Sequence, residues 1–161
     1  MTKFEEFEQI IARLRAPDGC PWDREQTHGS LKKPCMEEAA EVVCGINILE
    51  KTGDPDNLKE ELGDLLMQVV MHARIAEEEG YFTMEDVIQG IIDKMIRRHP
   101  HVFGNAEVSG PDEVPAGWAE IKKREKEGKE WTESYLPEAF AEAKALIDAA
   151  AKRKGFALTE H

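Results

Sequence analysis

The sequence predicts an all-α protein, an antiparallel helical bundle with a C-terminal helical arm, assembled as an oligomer. Apolar residues recur at helical spacing in nearly every segment, and the segments end at Gly or Pro. No stretch alternates polar and apolar residues as a half-buried strand does. Because the links between the predicted helices are short, consecutive helices should be antiparallel neighbours.

The first two helices have clear start and stop signals. Thr2 can cap a first helix, which ends before the turn at residues 17–19 and is followed by a loop through residue 29. Ser30 opens the second helix, which runs to Gly53. Pro34 falls in its first turn, where a missing N–H costs least.

The third and fourth helices complete a bundle over about residues 1–103. Asp56 can cap the third helix, which extends to about Glu79, and Thr83 caps a fourth that ends near Pro100. The apolar stripe of the third helix is expected to be buried. It consists of Leu58, Leu62, Leu65, Leu66, Val69, Val70 and Ala73.

The remaining residues predict a helical arm, about residues 111–156, within a single domain of residues 1–161. A polar helix at about 114–127 follows the loop at 104–117, and an alanine-rich helix covers 136–154. Because a short polar helix buries little surface alone, we expect the arm to pack on a partner subunit.

Composition narrows the function classes. The chain has 33 acidic and 21 basic residues in 161, a net charge of −12, which argues against binding to nucleic-acid polymers or anionic membranes. No apolar run approaches the roughly 20 residues of a membrane span. The N-terminus lacks a secretory layout, and three cysteines without C-x-x-C spacing fit a reducing cytoplasm.

Two acidic pairs predict a metal site. Glu38 and Glu41 share one face of the second helix, and Glu61 and Asp64 share one face of the third. A hairpin of these helices would direct four carboxylates to one place, where their repulsion calls for a cation. Oxygen ligands favour Mg²⁺, or Mn²⁺, and such a Mg²⁺ commonly shares its coordination with phosphates. The alternative is a solvated acidic surface.

A basic cluster and two tryptophans are the other candidate site residues. Lys94, Arg97 and Arg98 can clamp phosphates, or can simply complement the dipole at a helix C-terminus. Trp22 can pack on the core or stack on a nucleobase. Trp118 and Lys122 form a similar aromatic and cationic pair. No Walker-type phosphate loop is present.

The order of these motifs resembles the MazG family of nucleoside triphosphate pyrophosphohydrolases. The resemblance covers nearly the whole chain. It depends on residues 14–28, on Glu37-Glu38-x-x-Glu41, on Glu61-Leu-Gly-Asp64, on residues 97–103 and on the stretch that ends at Phe156.

The resemblance implies an all-α dimer or higher oligomer that hydrolyses NTPs or dNTPs to the monophosphate and pyrophosphate with Mg²⁺. It makes Glu38, Glu41, Glu61 and Asp64 metal ligands, and it places Trp22, Lys94, Arg97, Arg98, Trp118 and Lys122 at the substrate. Two departures stand out. The chain has Lys33-Pro34-Cys35-Met36 where the family more often has Pro-Tyr-Leu, and Gly45 where many relatives carry a nearby acidic residue.

Two other functions stay open on the sequence. One is a pyrophosphohydrolase of the same superfamily with a narrower substrate, such as dUTP, dCTP or phosphoribosyl-ATP. The other is a helical adaptor without catalytic activity, whose charges face solvent.

Overall fold

The chain folds into α-helices joined by short turns. The computed structural model describes residues 1–156, and within them there is no β-strand. The helices are α1 Lys3–Arg15, α2 Pro21–Arg24, α3 Lys32–Thr52, α4 Asp56–Glu78, α5 Met84–Arg98, α6 Pro100–Phe103, α7 Glu113–Lys126 and α8 Leu136–Arg153, with a 3₁₀ helix at Glu130–Tyr135. The all-α prediction is confirmed.

Several helix ends follow the predicted signals. The Thr2 hydroxyl accepts the backbone N–H of Glu5 at 3.2 Å, and the Glu5 carboxylate accepts that of Thr2, which forms a capping box. Gly53 and Gly155 follow α3 and α8 with φ of 78° at both positions. This left-handed conformation favours glycine, so both helices end where the sequence indicates.

Two predicted caps were wrong, because the side chains of Ser30 and Asp56 make other hydrogen bonds. The Ser30 hydroxyl donates to the Gln26 side chain at 2.8 Å inside the preceding loop, and α3 starts two residues later. Asp54, rather than Asp56, satisfies the start of α4, because its carboxylate accepts the Asp56 N–H at 2.9 Å. The short helices α2 and α6 were not predicted, since four residues are too few to show a period.

The helices form two compact units. Within residues 1–156, the first contains Met1–Met84 and residues 142–156, and the second contains Glu85–Ala141. In the first unit, α3 and α4 make the most extensive helix–helix contact. A link of only three residues, 53–55, joins them, so they form an antiparallel hairpin.

Gly45 allows the two helices of this hairpin to approach closely. A Cβ atom at position 45 would lie 2.7 Å from the Cα of Leu58 and 3.0 Å from its backbone nitrogen. Backbone atoms cannot move aside as a flexible side chain can. The absence of a side chain at position 45 therefore has a structural reason in helix packing.

The core of the first unit lies between α1 and α4. Its buried cluster consists of Ile11, Leu31, Val70, Met71 and Ile75. The prediction that the whole apolar stripe of α4 is buried was wrong at Leu62, Leu66 and Val69, which are 40–50% exposed. Within the stripe, Val70 and Ala73 in the C-terminal part are the fully buried residues.

Arg15 ties the loop after α1 to α4. Its guanidinium group, only 7% exposed, donates to the Glu78 carboxylate at 2.8 Å. It also donates to the backbone carbonyl groups of Asp23 at 2.6 Å and Gln26 at 3.1 Å. One side chain thus connects α1, the segment around α2 and the end of α4.

Candidate functional site

Three predicted acidic residues converge across the α3–α4 hairpin. Glu38 projects from α3, and Glu61 and Asp64 project from successive turns of α4. Each offers one carboxylate oxygen, and these oxygens lie within 4.8 Å of one another. Such an arrangement of hard oxygen donors suits a divalent cation such as Mg²⁺ or Mn²⁺.

The electrostatics of this acidic group support the same interpretation. Burial raises the pKa of Glu38 above its usual value, and the negative charges of Asp64 and Glu61 raise it further. Glu61 is buried, with 8% of its surface exposed. Crowded, partly desolvated carboxylates repel one another, and a bound cation would remove that repulsion. The residues present therefore fit a metal ion.

The fourth predicted ligand, Glu41, is not part of this three-residue group. Its carboxylate forms an ion pair with Lys154, in the turn that follows α8. The neighbouring Glu37 pairs in the same way with Arg153. Glu41 as a metal ligand stays a prediction, and the two basic partners are residues that the sequence interpretation missed.

Asn57 is a further residue that was missed. Its side-chain amide donates to Glu61 Oε1 at 2.9 Å, which orients the carboxylate within the acidic group. Asn57 Oδ1 is buried and makes no hydrogen bond within residues 1–156. The signal was the four-residue spacing between Asn57 and Glu61, which places both on one face of α4.

The predicted basic residues lie in the second unit. Arg97 and Arg98 both bond to the Glu125 carboxylate of α7, at distances of 2.7 Å and 2.6 Å. The hydrogen bond from Arg98 and that from Arg97 outweigh burial and hold the pKa of Glu125 at about 2. Lys94 lies half-buried on α5. Glu125 thus brings two cationic groups together at one place.

The aromatic candidates differ in exposure. Trp118 is half-buried and lines a cavity of about 260 Å³ with Arg98 and His101. Its Nε1 is buried and has no hydrogen-bond acceptor within the described part of the chain. Lys122 Nζ lies 6.0 Å from the Trp118 ring centre. Trp22, on α2, is 64% exposed and does not pack on the core.

A pair of histidines lies elsewhere in the first unit. The Nδ1 atoms of His28 and His72 are 2.8 Å apart, and the two rings are stacked. One Nδ1 atom must donate its proton and the other must accept it, so the two Nδ1 atoms cannot both be protonated at this contact. Burial, and then the charge of His28, lower the pKa of His72 below its usual value.

Because of this histidine pair, we expect the folded protein to lose stability in acid. In the unfolded chain, His72 takes up a proton near pH 6.5, and in the folded protein it does so only at lower pH. The contribution of neutral His72 to the free energy of unfolding is therefore complete above pH 6.5 and is lost as the pH falls. Between about pH 7.5 and pH 5, the free energy of unfolding should fall more steeply in the wild type than in His72→Phe. Urea denaturation measures both slopes. His101→Phe, in the other unit, should keep the wild-type slope, and equal slopes in all three proteins would refute the prediction.

No helix within residues 1–156 has the length and apolar character needed to cross a bilayer.

The chain is similar to several known proteins. The model of the MazG nucleotide pyrophosphohydrolase domain matches residues 26–103, which contain all three clustered carboxylates. A Bacillus subtilis protein named "Uncharacterized protein YabN" is 47% identical over 150 residues, which are 93% of this chain and 29% of that protein. The "Nucleoside triphosphate pyrophosphohydrolase/pyrophosphatase MazG" of Thermotoga maritima is 51% identical over 123 residues, 76% of this chain and 45% of that protein.

Two further relatives extend the comparison. The nucleoside triphosphate pyrophosphohydrolase of Escherichia coli K12 is 43% identical over 127 residues, 78% of this chain and 47% of the relative. The crystal structure of a mazG-related protein from Thermotoga maritima superposes with a TM-score of 0.59 at 28% identity, over 74% of this chain and 98% of that one. The chain spans less than half the length of the curated relatives it matches.

Proposed function

Because this chain belongs to the MazG nucleotide pyrophosphohydrolase family, we propose that it hydrolyses nucleoside or deoxynucleoside triphosphates to the monophosphate and pyrophosphate. The reaction would depend on Mg²⁺ and would serve to clean the nucleotide pool. The observation that carries this proposal is the convergence of Glu38, Glu61 and Asp64 across the α3–α4 hairpin.

These three carboxylates would hold the cation, with Glu41 as the fourth ligand and Mn²⁺ as a possible substitute. A divalent cation there supplies charge neutralisation at the triphosphate and activates water for attack on phosphorus. The chain itself contributes the geometry. Asn57 orients the Glu61 carboxylate, and the burial of Glu61 strengthens electrostatic interactions at the site.

The basic and aromatic residues would contact the rest of the substrate. A guanidinium group has five N–H donors, so Arg97 and Arg98 keep donors for phosphate oxygens while they share Glu125. Together with Lys94, they would stabilise charge on the leaving pyrophosphate. Trp118 Nε1, Lys122 and the exposed ring of Trp22 are the groups that we assign to the nucleoside.

We also propose that the protein acts as a homodimer or higher homo-oligomer in the cytoplasm, where its substrates are found. The exposed apolar side chains of the α3–α4 hairpin support an interface between subunits. They are Val43, Ile46, Leu62, Leu66 and Val69.

A nucleotide panel with product identification tests the proposed reaction. Purified protein with Mg²⁺ should release pyrophosphate, and no orthophosphate, from several NTPs and dNTPs, and chelation with EDTA should stop the release. A strong preference for dUTP, dCTP or phosphoribosyl-ATP would instead support the narrower enzyme. No turnover with any nucleotide, and a melting temperature that neither metal nor nucleotide changes, would support the adaptor.

A further inference from the structure

Side chains between residues 142 and 154 form ion pairs with α3, the helix that carries Glu37, Glu38 and Glu41. Ion pairs join the two segments at intervals. Lys32 bonds to Glu142 at 2.9 Å, Glu37 pairs with Arg153, and Glu41 pairs with Lys154. The last two pairs place consecutive cationic side chains on the two outer carboxylates of the Glu37-Glu38-x-x-Glu41 motif.

Lys154 also acts on the clustered carboxylates. Burial and the neighbouring negative charges raise the pKa of Glu38, and the positive charge of Lys154 offsets part of that rise. The ammonium group therefore lies within electrostatic range of both Glu41 and the acidic group. The pair is partly solvated, with Lys154 47% and Glu41 34% exposed, so the contact can open without uncovering a buried charge.

An ammonium group and a divalent cation that bind the same carboxylate repel each other. A metal ion coordinated by Glu41 would lie close to the Lys154 charge, and like charges repel strongly at such distances. We propose that Lys154 is a tethered counter-cation that competes with the divalent metal for Glu41, so that Glu41 completes the metal site only when Lys154 leaves it. This inference rests on the proposed metal-dependent function.

Mn²⁺ binding without nucleotide tests the competition directly. Lys154→Gln should bind Mn²⁺ more tightly than the wild type, by roughly threefold or more, as expected for loss of a partly exposed ion pair. Electron paramagnetic resonance of free Mn²⁺, or calorimetry, measures the affinity. Lys152→Gln is the matched control: it removes the same charge two residues away, and Lys152 has no ion-pair partner within residues 1–156.

A double-mutant cycle separates competition at Glu41 from a general charge effect. In the Glu41→Gln background, the change Lys154→Gln should affect Mn²⁺ affinity no more than Lys152→Gln does. The inference is overturned by equal affinities of Lys154→Gln and Lys152→Gln, by weaker binding in Lys154→Gln, by an undiminished effect in the Glu41→Gln background, or by absence of Mn²⁺ binding in all variants.

The Mn²⁺ affinity measurement does not require the protein to be catalytically active. Tighter Mn²⁺ binding by Lys154→Gln, in a protein that releases no pyrophosphate from any nucleotide, would support the competition and refute only the proposed hydrolysis. Pyrophosphate release by the wild type with no effect of Lys154→Gln would refute only the competition.

Discussion

Glu61→Gln should lower the rate of pyrophosphate release by at least about a hundredfold, because it removes one charge from the group that we propose as ligands of the cation. Glu61 is the most buried of the three clustered carboxylates. The substituted amide keeps the shape of the side chain but is a poor ligand for a hard cation.

Stability measurements separate this effect from misfolding. Removing a charge from a repulsive group should leave the free energy of unfolding unchanged or raise it when metal is absent, and the pKa of Glu38 should move back toward its usual value. Stabilisation by added Mg²⁺ or Mn²⁺ should disappear. Glu60→Gln, the adjacent exposed residue of α4, is the matched control and should keep wild-type turnover. Turnover within tenfold of the wild type in Glu61→Gln would contradict the proposed site.

Arg15→Leu should lower the free energy of unfolding by about 3 kcal/mol. The substitution removes a nearly buried guanidinium group together with its hydrogen bonds to Glu78 and to the Asp23 carbonyl group, and it leaves the Gln26 carbonyl group without the Arg15 donor. Urea denaturation at neutral pH measures the loss. Arg13→Leu is the control, because Arg13 pairs with Asp18 on the open surface, 61% and 79% exposed, and should cost less than about 1 kcal/mol.

The pH dependence gives this prediction a second test. Burial raises the pKa of Glu78, but hydrogen bonds from Arg15 and Arg74 outweigh it, so the pKa lies below its usual value. A lowered carboxylate pKa contributes stability above the unfolded value, near 4.3, and this contribution is lost as the pH falls further. The difference between wild type and Arg15→Leu should therefore shrink in acid. A constant difference would mean that Arg15 acts through packing and its backbone contacts alone.

Sequence analysis predicted the structural features that are determined by residues close together in the chain. Helix ends at Gly53 and Gly155 were predictable, because a left-handed residue after a helix favours glycine. The meeting of Glu38 with Glu61 and Asp64 was also predictable, since a short link forces α3 and α4 to be antiparallel. In each case the determining residues are close in sequence or share a period.

Partners that are distant in sequence could not be predicted in this way. Lys154 reaches Glu41 across more than a hundred residues, and Glu125 reaches Arg98 from another helix. A surplus of acidic residues, 33 in the chain, offers many possible partners to each cation. The spacing of apolar residues likewise cannot distinguish a position that faces the core from an exposed position on the same helix, which explains the wrong expectation at Leu62 and Val69.

The close approach at Gly45 limits how this protein can change in evolution or in the laboratory. A fifth acidic side chain at that position, even one as short as aspartate, would have to displace the main chain at Leu58. Leu58 lies only one turn before Glu61. The same movement would disturb the spacing of the carboxylates that the new residue was meant to join. New substrate preferences in this chain should therefore arise first by substitutions outside the α3–α4 contact.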